Sequence, residues 1–152
     1  MNVCYHNFVP YTDLFPSFKI ESKQKVHDDI VQQSTLKGSI FFKQFYRVSK
    51  RPWFFGKNLT RAQIVTINRI RANHYHLAAS LARVGIIKDS KCKCGYENED
   101  INHVIWQCQI YEPHRKKLLQ QLKVLKLYPP LNIESLVAVP NIDACRCIFS
   151  FL

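Results

Sequence analysis

The stretch that decides the reading of this chain is Cys92–Cys108, C-K-C-G-Y-E-N-E-D-I-N-H-V-I-W-Q-C. It holds three of the six cysteines and one of the six histidines in the order C-x-C-x8-H-x4-C. Three thiolates and one imidazole satisfy a tetrahedral zinc ion and leave no position for water. Cys92 and Cys94 fit a tight turn, and Gly95 lets the chain bend back without a Cβ penalty. From Asp100 the pattern turns helical, with His103 and Cys108 on or beside that short helix. The competing reading is a run of buried free thiols acting as small hydrophobes. Lys93, Glu97, Asn98, Glu99 and Asp100 make the stretch too polar for a core strand. A Cys92–Cys94 disulfide would be badly strained. The expected cofactor is therefore Zn2+, held by Cys92, Cys94, His103 and Cys108.

Outward from this knuckle the chain reads as one small, mostly α-helical domain organised around a Cys3His zinc site. Its 152 residues suffice for one modest core. The expected division is an irregular aromatic arm with a short helix over 1–58, helices flanking the knuckle 92–108 over 59–128, and a C-terminal helical segment over 129–152. All three belong to one compact unit. Pro10 and Pro16 punctuate the arm, and 20–34 suit a short helix. Cys4 and His6 lack ligand-spaced companions and read as a packed thiol and a surface histidine. The aromatic, basic stretch 36–58 has rings that can stack bases, but it reads first as a segment pinned to the core by them.

At Thr60 the sequence T-R-A-Q is a capping box, with Gln63 three residues into the helix. Leu59, Ile64, Ile67 and Ile70 fall on one side of it, and Arg61, Asn68 and Arg69 on the other. The pattern breaks near Asn73, resumes through Leu77, Leu81 and Val84, and ends at Gly85 as a C-cap. His74 and His76 read as packed or surface histidines. After Cys108, Pro113 suits the first turn of a helix. Leu118, Leu119, Leu122 and Leu125 make its buried stripe, and Lys116 and Lys123 share its solvent side. The Tyr128-Pro129-Pro130 step stops that helix, and Asn132 is placed to cap a short one. Cys145 and Cys147 repeat the C-x-C spacing with no further ligand after them and read as buried thiols.

The formal charge of +11 points to a polyanionic partner. It is unevenly spread: +5 over 1–58, +5 over 59–91, −2 over 92–108, +4 over 109–128 and −1 over 129–152. Positive charge flanks the knuckle and avoids it. The candidate nucleic-acid contacts are therefore Arg61, Arg69, Lys116 and Lys123. Arg115 falls on the leucine side of its helix, placed to pack on the knuckle and donate to thiolate sulfur, Glu99 or Asp100.

No apolar run reaches the length of a membrane span, and M-N-V-C-Y-H-N-F-V-P lacks the layout of a secretory signal. The expected setting is intracellular, nucleus or cytoplasm, with thiols reduced. The eleven acids are scattered, and the adjacent Asp28-Asp29 pair would not face one another on a helix. No nucleophile motif or phosphate loop is present, and a closed zinc site lacks the open position catalysis needs. The chain reads as no enzyme, with no small-molecule substrate.

The order of these signals resembles one family. An arm V-P-Y-T-D-L-F-P precedes an aromatic P-W-F and a helix with an R-I-R-A-N-H step. The motif C-x-C-G-x7-H-x4-C follows, with Tyr111 and Arg115 after it. This is similar to the C-terminal tail of insect non-LTR retrotransposon polyproteins, the region after reverse transcriptase and RNase H. The likeness runs from Val9 to about Leu152, and the knuckle carries most of it. It implies zinc on Cys92, Cys94, His103 and Cys108, and a template nucleic acid, RNA ahead of DNA, as partner. Two departures stand out: one residue between the first two cysteines where related tails often have two, and Asn73 where many have Gly before the histidine. The alternative is a zinc-stabilised protein-interaction or purely structural fragment, in which the charge serves solubility.

Overall fold

The computed structural model describes residues 10–128, 131–138 and 141–152. Cys4 and His6, and with them the reading of their roles, lie outside the described residues, as do Pro129 and Pro130. The described chain is mostly helical and holds no strand. Its contacts divide it into two units, Met1–Ser39 and Ile40–Leu152. The aromatic segment 40–58 therefore belongs with the helices that follow it. Among the described residues no helix is long and apolar enough to cross a membrane.

The first unit is built on one helix, α1 (Tyr11–Gln33). This corrects the reading of 11–20 as irregular. Pro10 stands just before the first helical residue, where its fixed φ is no obstacle. Pro16 does sit inside the helix and removes one bond to the carbonyl four residues back. The loss is local, and the other turns of a 23-residue helix run on through it. The apolar residues Phe15, Phe18, Ile20 and Val26 are all exposed.

The second unit contains α2 (Ser39–Gln44, from Ile40), α3 (Arg61–Arg71), α4 (Ala78–Arg83), α5 (Glu112–Val124), α6 (Ile133–Ala138) and α7 (Ile142–Phe151). Between α4 and α5 lie a π-helical turn, His103–Gln107, and a 3-10 turn, Gln109–Tyr111. Helix α7 is the hub: α3, α5 and α6 all pack on it, and α3 also packs on α6. The core runs through Ile67 and Ile70 of α3, Leu118 and Leu122 of α5, Ile133 and Val137 of α6, and Cys145 and Ile148 of α7. Ile101 and Ile105 join it from the segment that carries the histidine.

Local chemistry sets the helix ends. The Thr60 box is reciprocal: Gln63 N–H donates to Thr60 Oγ1 at 3.3 Å, and Thr60 N–H to Gln63 Oε1 at 2.9 Å. Asn132 Oδ1 accepts from Glu134 N–H, and Asn141 Oδ1 from Asp143 and Ala144 N–H, so both open their helices. Helices α3, α4 and α5 each close with a left-handed residue and the paired bonds of a Schellman motif. At α3 the residue is Asn73, with Asn73 N–H on Ile70 O and His74 N–H on Arg69 O. Asparagine tolerates this conformation, so it serves where a glycine would. At α4 it is Gly85, as expected, and at α5 it is Lys126, at φ +59°.

The aromatic segment is anchored at two points. Phe45 is buried in the core, and Trp53 Nε1–H donates to Asn68 Oδ1 at 2.7 Å on α3. Between them lies the guanidinium of Arg71, over both rings at 5.0 and 5.4 Å. Burial lowers the pKa of Arg71 from its ordinary value.

Lys126 offers a direct test of the α5 terminus. A left-handed residue with a Cβ is strained by about 1 kcal/mol, which glycine relieves. Lys126→Gly is expected to raise stability by up to about that amount, and Lys126→Val to lower it, in urea unfolding.

Candidate metal centre

Three pieces of chain bring Cys92, Cys94, His103 and Cys108 together. The first is a turn, closed by Gly95 N–H donating to Cys92 O at 3.0 Å, with Gly95 at φ +95°. A side chain would be strained in that backbone whatever space it had. Cys92 N–H then pairs with Tyr96 O at 2.8 Å and Glu99 N–H with Ser90 O at 2.7 Å. The loop is thus folded back on itself, with both cysteines at its tip.

The second piece is the start of the histidine helix. Asp100 caps it: His103 N–H donates to Asp100 Oδ1 at 2.7 Å, and Val104 N–H to Asp100 O at 3.0 Å. The third is the π turn. In an α-helix, residues five apart point about 140° away from each other. Here Cys108 N–H donates to His103 O at 2.7 Å, the wider i+5 bond, so the two ligands come back to one side. An x4 spacing reads as helical in the sequence, but it needs this widened turn to work.

The resulting cluster is tight. Cys92 Sγ lies 3.7 Å from Cys108 Sγ, and Cys94 Sγ lies 3.2 Å from His103 Nε2. All four donor atoms fall within 4.8 Å of one another, and together they can hold a metal ion. Cys92, His103 and Cys108 are buried, and Cys94 is half-buried. Cys145 and Cys147 are free thiols elsewhere on α7, the first buried and the second only partly.

The donor electrostatics fit a cation. Burial pushes the Cys92 thiol up to about 12, against an opposing hydrogen bond from the Cys94 backbone N–H. Cys94 is lowered, chiefly by the Tyr96 backbone N–H. A buried thiol of this kind ionises only with positive charge beside it, which a metal supplies. Tyr96 stacks on the His103 ring at 4.3 Å and 6° interplanar angle, fixing its plane. His103 Nδ1 is buried with no hydrogen-bond partner, so Nε2 is the nitrogen that faces the sulfurs.

Side chains of the same segment reach the neighbouring helices. Glu99 Oε2 accepts from Ala78 N–H at 2.8 Å and so caps α4. Asn102 Oδ1 accepts from Ile133 N–H at 2.9 Å and so caps α6, while its amide donates to Glu134. Tyr75 O–H accepts from Ile101 N–H at 3.4 Å. The sequence reading named Glu99 only as a polar residue of the loop and a partner for Arg115, and did not single out Asn102 or Tyr75. Glu99 and Asn102 were legible only as polar residues in a helical context, and their partners are far along the chain.

Arg115 is buried on α5 and does reach this segment, through partners other than those expected. Its Nε–H donates to Ile105 O at 2.7 Å, and its terminal nitrogens to Val104 O, Cys108 O and Glu112 Oε2. The partners are carbonyls that the end of a helical turn leaves open, not sulfur, Glu99 or Asp100. Arg61, Arg69, Lys116 and Lys123 are all exposed. Helices α3 and α5 each pack on α7, and it is Lys117, not Lys116 or Lys123, that lines the α5–α7 groove.

No protein-family model, curated protein or solved structure matches the chain.

The Arg115 contacts predict a measurable loss. Removing a buried charged donor leaves several carbonyls unpaired, and each charge-assisted bond contributes about 1.5–3 kcal/mol. Arg115→Gln is expected to destabilise the protein by about 3 kcal/mol and to speed metal loss to a chelator. Glu112→Gln, which removes only the exposed carboxylate paired with Arg115 and leaves its carbonyl bonds intact, is expected to cost less, about 1 kcal/mol.

Proposed function

We propose that this chain is a zinc-stabilised nucleic-acid-binding module, RNA ahead of DNA, with no catalytic activity of its own. It would be of the kind found in the C-terminal tail of insect non-LTR retrotransposon polyproteins. The observation that carries the zinc reading is the spacing of the donors. Zinc–sulfur bonds of about 2.3 Å at tetrahedral angles put two sulfurs about 3.8 Å apart. The Cys92–Cys108 separation of 3.7 Å agrees with that edge. Thiolate and imidazole donors favour zinc over calcium or magnesium, which take oxygen ligands. Four protein donors fill the tetrahedron, so the ion would supply folding energy and not an activated water.

The nucleic-acid part rests on the charge of +11 and on the exposure of Arg61, Arg69, Lys116 and Lys123. A second reading, a structural or protein-interaction fragment, draws support from the capping of α4 and α6 by the metal-bearing segment. The two differ in salt dependence: phosphate contacts release counterions and give a steep slope of log affinity against log salt.

Elemental analysis of protein purified without chelator is expected to give one zinc per chain. Bound zinc persisting in a Cys94→Ala, Cys108→Ala double variant would sink the ligand set. Chelation is expected to melt 90–108 and loosen α4 and α6, while α3, α5 and α7 keep much of the helical signal. Circular dichroism and amide exchange read the two effects separately. For binding, the slope with single-stranded RNA should fall by roughly 0.7 for each phosphate contact removed when the four basic residues are changed to Gln.

A further inference from the structure

Between Ile30 and Lys88 the chain has no Asp or Glu, yet carries eleven Lys and Arg. The rest has eleven of each sign, so this run supplies the whole formal charge. Near its middle is a short ordered loop. Trp53 ties it to Asn68 of α3, and Asn58 O accepts from Arg146 of α7 at 2.8 Å. Two turns fix its tip: Phe55 N–H donates to Pro52 O and Lys57 N–H to Phe54 O, each at 3.0 Å, with Gly56 at φ +72°. The aromatic residues of the loop have different fates. Trp53 packs against the core, and Phe54 meets it edge-on at 5.6 Å. Phe55 is turned outward and 57% exposed, with the Arg51 guanidinium 4.3 Å from its ring centre.

We propose that Phe55, with Arg51 over its ring and the exposed Lys50 next to Arg51 in the chain, is a base-stacking site for single-stranded nucleic acid. The proposal rests on the nucleic-acid reading above and adds a place and a contact mode to it. A large ring held at the tip of a pinned loop contributes nothing to the core. Flat bases stack on such rings, and arginine adds to the stack through its own plane. Charge complementarity selects this occupant: the flanking cations Arg47, Lys50 and Arg51 are exposed, and phosphate accompanies every base. An apolar peptide would gain from Phe55 alone and make no use of that charge. Arg71 is not part of the surface, because it is buried between Phe45 and Trp53.

The test compares 12-nucleotide oligoadenosine RNA with an abasic strand of equal length, using zinc-loaded full-length protein. Wild type is expected to prefer the strand with bases. Phe55→Ala should weaken oligoadenosine binding by roughly tenfold and leave both abasic binding and the salt slope unchanged. Phe55→Trp should retain the preference. Lys50→Gln should instead shallow the slope by roughly 0.7. Because Phe55 is exposed, zinc content and circular dichroism of these variants should match wild type. If wild type binds with a steep slope but does not distinguish the strands, or if Phe55→Ala binds both as wild type does, the stacking site is wrong and the nucleic-acid reading stands. If wild type binds neither strand, both fall. Binding of an apolar peptide lost on Phe55→Ala, with RNA binding unaffected, would assign the ring to a protein partner and overturn the proposal.

Discussion

The segment from Ser90 to Cys108 has to satisfy more than its own four donor atoms. Its Glu99 carboxylate closes the start of α4, its Asn102 closes the start of α6, and its last carbonyls are closed by Arg115 of α5. Helix ends leave backbone groups unpaired, and burying them unpaired costs about 1–3 kcal/mol each. Two helices, α4 and α6, thus have a start that depends on where this loop lies, and the loop's own carbonyls depend on α5. Folding the loop back on Cys92–Gly95 brings the cysteines into place and sets the position of Glu99 in the same stroke. The four clustered donors and the helix caps are one geometric problem, and a change in the loop's path disturbs both.

The π turn is where that problem is solved most locally. Ile101, Val104 and Ile105 must face the core, while His103 and Cys108 must face the two other cysteines. A regular α-helix places the first set on one stripe but cannot return to the same side five residues later. Widening one turn removes the excess rotation, so that five residues make about one turn, and leaves carbonyls poorly served within the helix. Arg115 serves those, and its fork of donors suits several carbonyls at once. The aromatic stack of Tyr96 on His103 fixes the remaining freedom, the plane of the ring.

Much of this was legible in the sequence because it is written in neighbouring residues. The Thr60–Gln63 box, Pro113 in the first turn of α5, the Asn132 cap and the Leu118–Leu122 stripe each declare themselves within one or two turns. So does the cluster of Cys92, Cys94, His103 and Cys108, since its four side chains lie within seventeen residues. What was not legible depends on partners far along the chain. Glu99 and Ala78 are 21 residues apart, Asn102 and Ile133 are 31 apart, and nothing local marks either pair. Pro16 misled for a different reason: its local cost is real, but a long helix absorbs it. The division of the chain also follows contacts, not composition. The aromatic segment shares its ring content with the N-terminal arm, but its Phe45 and Trp53 pack with α3.

Charge completes the separation of roles. The two arginines that the fold buries, Arg71 and Arg115, are held without a buried carboxylate, and Arg71 Nε is left without a hydrogen-bond partner. Arg71 lies over two rings and Arg115 on carbonyls, with only the exposed Glu112 as a counter-ion. Acidic residues are therefore not consumed in the interior, and those of the segment with the Cys3His cluster are free to cap backbone. Asp100 and Glu99 both do so, at helix starts where negative charge is favoured. The local excess of acid over 92–108 is thus accounted for by helix geometry. The surplus of positive charge, by contrast, has no such internal explanation. Arg61, Arg69, Lys116 and Lys123 are exposed to solvent. A partner drawn by that surplus would meet it on the flanks, while the segment that carries the Cys3His cluster caps α4 and α6 between them.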